Sequence, residues 1–238
     1  TVVNTWVLML IIMFIVRAGT KKASVENPSK MQIVMEEYYH FIENTFLTTF
    51  GKHKKTYIPF FSALFAFIMF SNLSTFLFPY IMMVVSEDGV KMVKPFFRTP
   101  TADPNTTIGL SLVVIILFLA VSIKQKGLRG YIKSLFEPMW FMFPLNIVDI
   151  FSKVLNTSMR LFGNMLAGLV IVGLLYSLVG RGLLQSLTHD MLKGSFSFSV
   201  GWPMIIQLYL DLFIGIVQAF VFTILSSVYI SEALGEEE

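Results

Sequence analysis

The chain has no cysteine among its 238 residues and little charge. Without a thiol it can form no disulfide, hold no metal through thiolates and use no cysteine nucleophile, although that absence identifies no compartment. Charged residues make up 14% of the sequence, against about 25% in soluble globular domains. A phosphate-binding glycine loop, an HExxH pair and a GxSxG elbow are also missing, so catalysis on a small molecule is not expected. The three histidines, His40, His53 and His189, lie in polar segments without metal-ligand spacing and read as solvated loop residues. No metal and no cofactor is expected. The formal charge of +3 is too small to argue for nucleic acid.

What is present is apolar. Hydrophobic residues make up 55% of the chain and the mean hydropathy is +0.72, which places it among membrane proteins. The 24 Phe and 14 Met suit a lipid-facing surface, and the 15 Gly suit close helix packing. The first run, Val2–Val16, is short and no methionine precedes it. It reads as a spanning helix whose beginning is missing; a signal peptide would need a basic segment before the run. Arg17–Tyr57 is polar and basic, and within it Met31–Phe50 has helical periodicity with acids and aromatics, so it reads as an interfacial helix. Ile58–Val85 is the second span, Ser86–Asn105 a mixed polar loop, and Thr106–Ile123 the third span, followed by the basic KQKGLRGYIK.

Lysine and arginine concentrate in Arg17–Lys55 and Lys124–Lys133, which places both on the cytoplasmic side. The N-terminus and the loop around 86–105 then lie outside. Two long segments follow, about Leu145–Val179 and Val200–Ile230, joined by an outside loop, and the acidic tail GEEE ends inside. The expected architecture is an all-α integral membrane protein of about five spans plus the interfacial helix. It is a single membrane domain, 1–238: an N-terminal span and interfacial segment (1–57), the second and third spans (58–138) and a final hairpin (139–238). At 1.5 Å per residue the last two segments are too long for upright passage of a hydrocarbon core about 30 Å thick, so strong tilt is expected.

Those two segments carry stripes of polar residues. From Asp149 the steps to Lys153, Asn156, Arg160 and Asn164 are 4, 3, 4 and 4, which fall on one helix face. Gln207, Asp211 and Gln218 follow the same rule with steps of 4 and 7. An arginine at a bilayer centre costs between about 2.5 and roughly 17 kcal/mol, depending on how far the membrane adapts. Arg160 stays charged and can be neutralised only by a partner, with Asp149, Asp211 or a carboxylate on another subunit as the candidates. Lys153 reads as snorkelling toward the cytoplasmic surface. A lone asparagine or glutamine in such a stripe more often joins helices than handles an ion.

At Met159–Gly168 the sequence MRLFGNMLAG resembles the signature of subunit a of the F-type ATP synthase, an arginine followed by LFGN and then AG. TADPNTT (Thr101–Thr107, with Asp103 and Asn105) is similar to the family's motif before the third span. FPLNIVDIFSK (Phe143–Lys153) resembles the lead-in to the arginine helix, and IVQAFVFTILSSVYIS (Ile216–Ser231) the final helix. The likeness covers the chain from about residue 58 onward.

The resemblance implies an arginine helix lying steeply tilted against a rotating ring of c subunits, each with an essential carboxylate. Two offset aqueous half-channels would carry H+ or Na+ to and from that carboxylate. Arg160 would face the ring and separate the half-channels, with Gln218 opposing it from the last helix. Asn164, Asp211, Gln207, Asn156, Asp149, Asp103 and Asn105 would line the paths. Implied partners are the c-ring, subunit b with the peripheral stalk, the rest of the complex and lipid. The implied location is a bacterial plasma membrane, with a mitochondrial or plastid membrane as the alternative. After AG the family usually carries glutamate or histidine, where this chain has Leu169; the outer half-channel would then depend on Asp211. A secondary transporter binding an anion at Arg160 would be expected to show an internal repeat, and none is found; a purely structural membrane subunit is the other rival.

Overall fold

The computed structural model describes residues 2–21, 24, 27–77, 82–87, 90–95, 99–137, 139–180 and 209–235. Six α-helices dominate them: α1 (Val2–Thr20), α2 (Lys30–Phe46), α3 (Lys54–Leu77), α4 (Pro104–Leu135), α5 (Phe143–Gly180) and α6 (Gly215–Leu234). Four helical stretches among the described residues are long and apolar enough to cross a bilayer: Val2–Thr20, Thr48–Ser74, Pro104–Leu135 and Leu212–Leu234. The fourth expected span, about Leu145–Val179, corresponds to α5. It has 38 residues and so reaches about 57 Å, nearly twice the hydrocarbon thickness of about 30 Å. The chain is an all-α, multi-pass membrane protein.

Local sequence sets the breaks. Ser29 caps α2, its hydroxyl accepting a hydrogen bond from the Gln32 N–H at 3.2 Å, a Ser-x-x-Gln start that satisfies an otherwise orphaned donor. Asp103 caps α4 in the same way, with Pro104 in the first turn where its missing N–H costs nothing. Gly127 adopts φ 71° inside the basic stretch and breaks α4 into two helical pieces, and Gly235 closes α6 in the left-handed region at φ 70°.

One expectation needs correction. The second span was read to Val85 and the following segment as loop, but α3 is described only to Leu77. Pro79 then disfavours a continuing helix. Met82–Glu87 and Val90–Pro95 pair as an antiparallel hairpin, β1 and β2, with Glu87 opposite Val90. The valines favour strand. FLFPY after Leu77, the loop after α5, Gln207 and the GEEE tail beyond Gly235 lie outside the described residues.

The core is aromatic and links the interfacial helix to the spans. Ile42, Phe46, Leu47 and Phe50 are buried against Ile58, Phe61 and Phe65 of α3 and Phe222 of α6. Phe46 packs its ring on Phe65 and Phe220, and Phe50 on Phe61 and Tyr57. The Ser227 hydroxyl of α6 donates to the Phe46 carbonyl at the end of α2, which otherwise has no helical partner. This core holds α2, α3 and α6 together, and α6 in turn packs on α4 and α5.

Candidate site along the α5 polar stripe

The packed side of α5 is narrow. Thr157, Ser158 and Leu161 are buried, and the two hydroxyls bond back to the carbonyls of Lys153 and Leu155. Leu145, Val148, Leu155, Met159, Leu166 and Val170 are exposed on the other side. At 100° per residue, Asp149, Asn156, Arg160 and Asn164 fall along the border between these two surfaces. Arg160 is half-buried. Among the described residues it forms no ion pair, and neither Asp149 nor any other described carboxylate reaches it.

One turn beyond Arg160, the Asn164 amide donates to Gln218 Oε1 of α6 at 2.6 Å. Gln218 is 3% exposed, and its Nε2 has no partner among the described residues. The resemblance sets Gln218 opposite Arg160; in the structure its hydrogen bond goes to Asn164, one turn beyond. Leaving one amide donor of a buried glutamine unsatisfied is costly unless a ligand, water or passing group takes it.

Two turns before Arg160 the situation is the reverse. Lys153 Nζ lies 3.2 Å from Asp149 and 3.0 Å from Glu232 in the last turn of α6, and sits over the rings of Phe118 and Tyr229 at 5.0 and 5.3 Å. Its side chain is only 13% exposed. Two carboxylates and two rings hold the Lys153 ammonium between helices. Asp149 is therefore engaged by Lys153 and not by Arg160.

Asn156 is exposed. Asp103 accepts from the Asn105 N–H at 3.0 Å as the cap of α4, and Asn105 itself is exposed. Asp211 lies in a π-helical turn, Leu210–Ile214, directly before α6. A single widened turn of this kind inside an α-helix frequently marks a functional site. The seven-residue step from Asp211 to Gln218 crosses it, so the ideal 100° spacing does not carry over that interval. The side chains of Asp211 and Leu169 lie outside what is described.

Sequence reading missed Asn72. It is 1% exposed, donates to the Gly215 carbonyl at 2.7 Å and accepts from the Thr101 hydroxyl at 2.7 Å. The TADPNTT segment is thus fastened through α3 to the start of α6, beside the π turn. A polar residue inside the apolar FIMFSNLSTF was the available signal.

Comparison with known proteins adds an independent line. The family model for the ATP synthase A chain matches residues 2–231. The sodium ion specific ATP synthase subunit a of Propionigenium modestum is 40% identical over 238 residues, all of this chain and 75% of that protein. ATP synthase subunit a of Moorella thermoacetica is 31% identical over 97% of this chain and 88% of its own length. That of Bacillus subtilis is 31% identical over 96% of this chain and 88% of its own. With such relatives and several apolar helices, the chain is a multi-pass protein of the bacterial plasma membrane type. An arginine without an ion pair among the described residues, the glutamine that meets its helix and a family match along nearly the whole length lead to one conclusion: the chain belongs to the ATP synthase subunit a family, the ion-translocating membrane subunits of F-type ATP synthases.

Proposed function

We propose that Arg160 is the fixed cation past which the rotor's carboxylates move, and that Asn164 and Gln218 form the adjoining wall of the ion path. The observation that carries this is Arg160's lack of any ion pair within the described chain, next to a cross-helix bond that closes the site on one side. A fixed cation beside a moving carboxylate favours its ionised form and so promotes ion release. It also repels a cation passing straight between two half-channels. The exposed side of α5 suits a close partner: a Cβ atom added at Gly163 would meet nothing within 4 Å, and Ala167 is exposed one turn beyond. Small residues let a second helix approach. In this reading residues 139–238 are the translocating part, α5 is steeply tilted, and the c-ring covers its open side.

The outer path would run through Asp211, with Asp103 and Asn105 near its mouth and Gln207 on the same helix; Asp149 and Asn156 would lie toward the inner path. We read the coupling ion as Na+. The supports are the sodium ion specific relative, 40% identical over the full chain, and Leu169, an apolar residue that can relay no proton where the family usually titrates.

The test uses the assembled complex in inverted membrane vesicles. Arg160→Ala should abolish ion-driven ATP synthesis while the detached head still hydrolyses ATP; normal synthesis would refute the role. For the ion, ATP hydrolysis by the intact wild-type complex should rise on adding Na+ to Na+-depleted vesicles. Full activity without added Na+, together with acidification of the vesicle lumen, would identify the proton instead.

A further inference from the structure

Arg160 is bracketed by two ties between α5 and α6. The Asn164–Gln218 hydrogen bond lies four residues beyond it, and the Lys153–Glu232 ion pair seven residues before it. Residue 153 meets 232 and residue 164 meets 218, so the helices run antiparallel and both ties cross the same seam. They differ in chemistry. The amide pair is a single neutral hydrogen bond. The lysine end is a clamp of several parts: Asp149 on its own helix, Glu232 on α6, Tyr229 on α6 and Phe118 on α4 all contact one ammonium group.

We propose that Lys153 and Glu232 form an electrostatic clamp that positions Arg160, so that α5 keeps its place while the rotor pulls on it. This rests on the reading of Arg160 as the rotor-facing cation. The physical need is plain. Each carboxylate that approaches Arg160 and leaves it exerts a lateral force on a helix whose outer side is exposed among the described residues. A hydrogen bond on one side of the arginine fixes a point; a second tie on the other side fixes a direction. Lys153 suits the second tie because its ammonium is only 13% exposed while both carboxylates are more than half exposed. The ion pair is partly desolvated at the lysine, yet the acids keep contact with solvent, which limits the cost of burying charge. The rings of Phe118 and Tyr229 extend the clamp to α4 and α6 through the faces that attract cations. Lys153 touches no transported ion in this account; it is a positioning residue.

The experiment is a charge-removal series in the assembled complex, with ion-driven ATP synthesis, ATP-driven ion uptake and the amount of assembled complex measured together. Lys153→Gln and Glu232→Gln should each lower synthesis by about ten-fold, within what a small misplacement of a reacting group costs. ATP hydrolysis should continue with less ion uptake per ATP. The double variant Lys153→Gln with Glu232→Gln should lose no more than either single variant, because the two groups act as one tie, and Lys153→Arg should keep near-normal activity. Loss in Lys153→Gln without loss in Glu232→Gln would overturn the clamp, as would losses that multiply in the double variant. If the neutral variants fail to assemble, Lys153→Arg becomes the readout: near-normal assembly and synthesis support the clamp and failure overturns it. Arg160→Ala in the same series separates the two ideas. Its synthesis should be abolished whether or not the clamp exists, so a normal Arg160 variant removes the underlying reading, whereas normal Glu232 and Lys153 variants remove only the clamp.

Discussion

Two regions of this chain are equally apolar and packed in opposite ways. Around the end of α2, Phe46, Phe50, Phe61 and Phe222 are each at most 2% exposed, ring against ring. Along α5, Leu155, Met159 and Leu166 are 55%, 52% and 44% exposed, and the glycines beside them face open space. The first region is a permanent joint, in which aromatic side chains fill the volume and backbone carbonyls find partners on neighbouring helices. The second is an exposed surface of large apolar side chains with Gly163 and Ala167 among them, and at its border stands Arg160, without an ion pair among the described residues. Composition alone does not distinguish them. The distribution of charge and of small residues does, and on the function proposed above a surface that slides past a partner has to avoid interdigitating with it.

The sharpest way to break this contrast is at Arg160. Its replacement by alanine should abolish coupled synthesis without harming the aromatic joint, so the amount of assembled complex should stay normal. Next comes Asp211→Asn, which keeps shape and hydrogen bonding but removes charge. If Asp211 relays the ion, synthesis should fall steeply with normal assembly; unchanged turnover, or a complex that fails to assemble, would make it a static partner instead.

The joint can be strained from its other side. Gly215 lies against Asn72, and a Cβ placed there would come within 2.9 Å of the Asn72 Cβ. Gly215→Ala must therefore push α3 and α6 apart or break the Asn72 bond to the Gly215 carbonyl. Overpacking of this kind costs about 1–3 kcal/mol. Thermal melting of the purified complex should show the loss, with synthesis reduced in proportion to assembly. A variant melting like wild type would mean that the helices yield more easily than their contacts suggest.

Much of this was legible in the sequence, and the reasons differ by region. Helices α1, α4 and α5 follow directly from long apolar runs and from a polar stripe at helical spacing. Gln218 was placed opposite the arginine helix by resemblance alone, and the hydrogen bond to Asn164 is a geometry that no spacing rule supplies. The hairpin at Met82–Glu87 and Val90–Pro95 escapes a sequence reading because the valines of its first strand extend an apolar run that reads as a span, while Lys91 and Lys94 make its second strand read as polar loop. The π turn at Asp211 was invisible for a different cause: a one-turn widening leaves the apolar pattern on both sides intact. The partners of Lys153 are not legible in the sequence, because snorkelling is the ordinary behaviour of a lone lysine and its second acid, Glu232, lies 79 residues away.

The smallest expected effect tests how tightly the interfacial helix belongs to the joint. Tyr38 of α2 donates its hydroxyl to the Ser62 carbonyl of α3 at 2.7 Å, and its ring packs near Phe65. Burial pushes its pKa well above the ordinary tyrosine value, because the tyrosinate would lose its water. Tyr38→Phe keeps the ring and removes the hydrogen bond, which should cost about 0.5–1.5 kcal/mol. The pH dependence has a definite sign. Below pH about 10 the tyrosine is neutral whether α2 is docked or not, so pH does not alter its contribution. Above that value the undocked tyrosine ionises while the docked one holds its proton, so the undocked state gains and docking weakens as pH rises. Wild type should therefore melt higher than Tyr38→Phe at pH 8, and the gap should narrow as the pH is taken above 10. Other tyrosines titrate in both proteins, so the difference between them isolates Tyr38. A gap that stays constant across that range would mean that the Tyr38 hydroxyl is open to solvent and that α2 is less firmly docked than the aromatic joint implies.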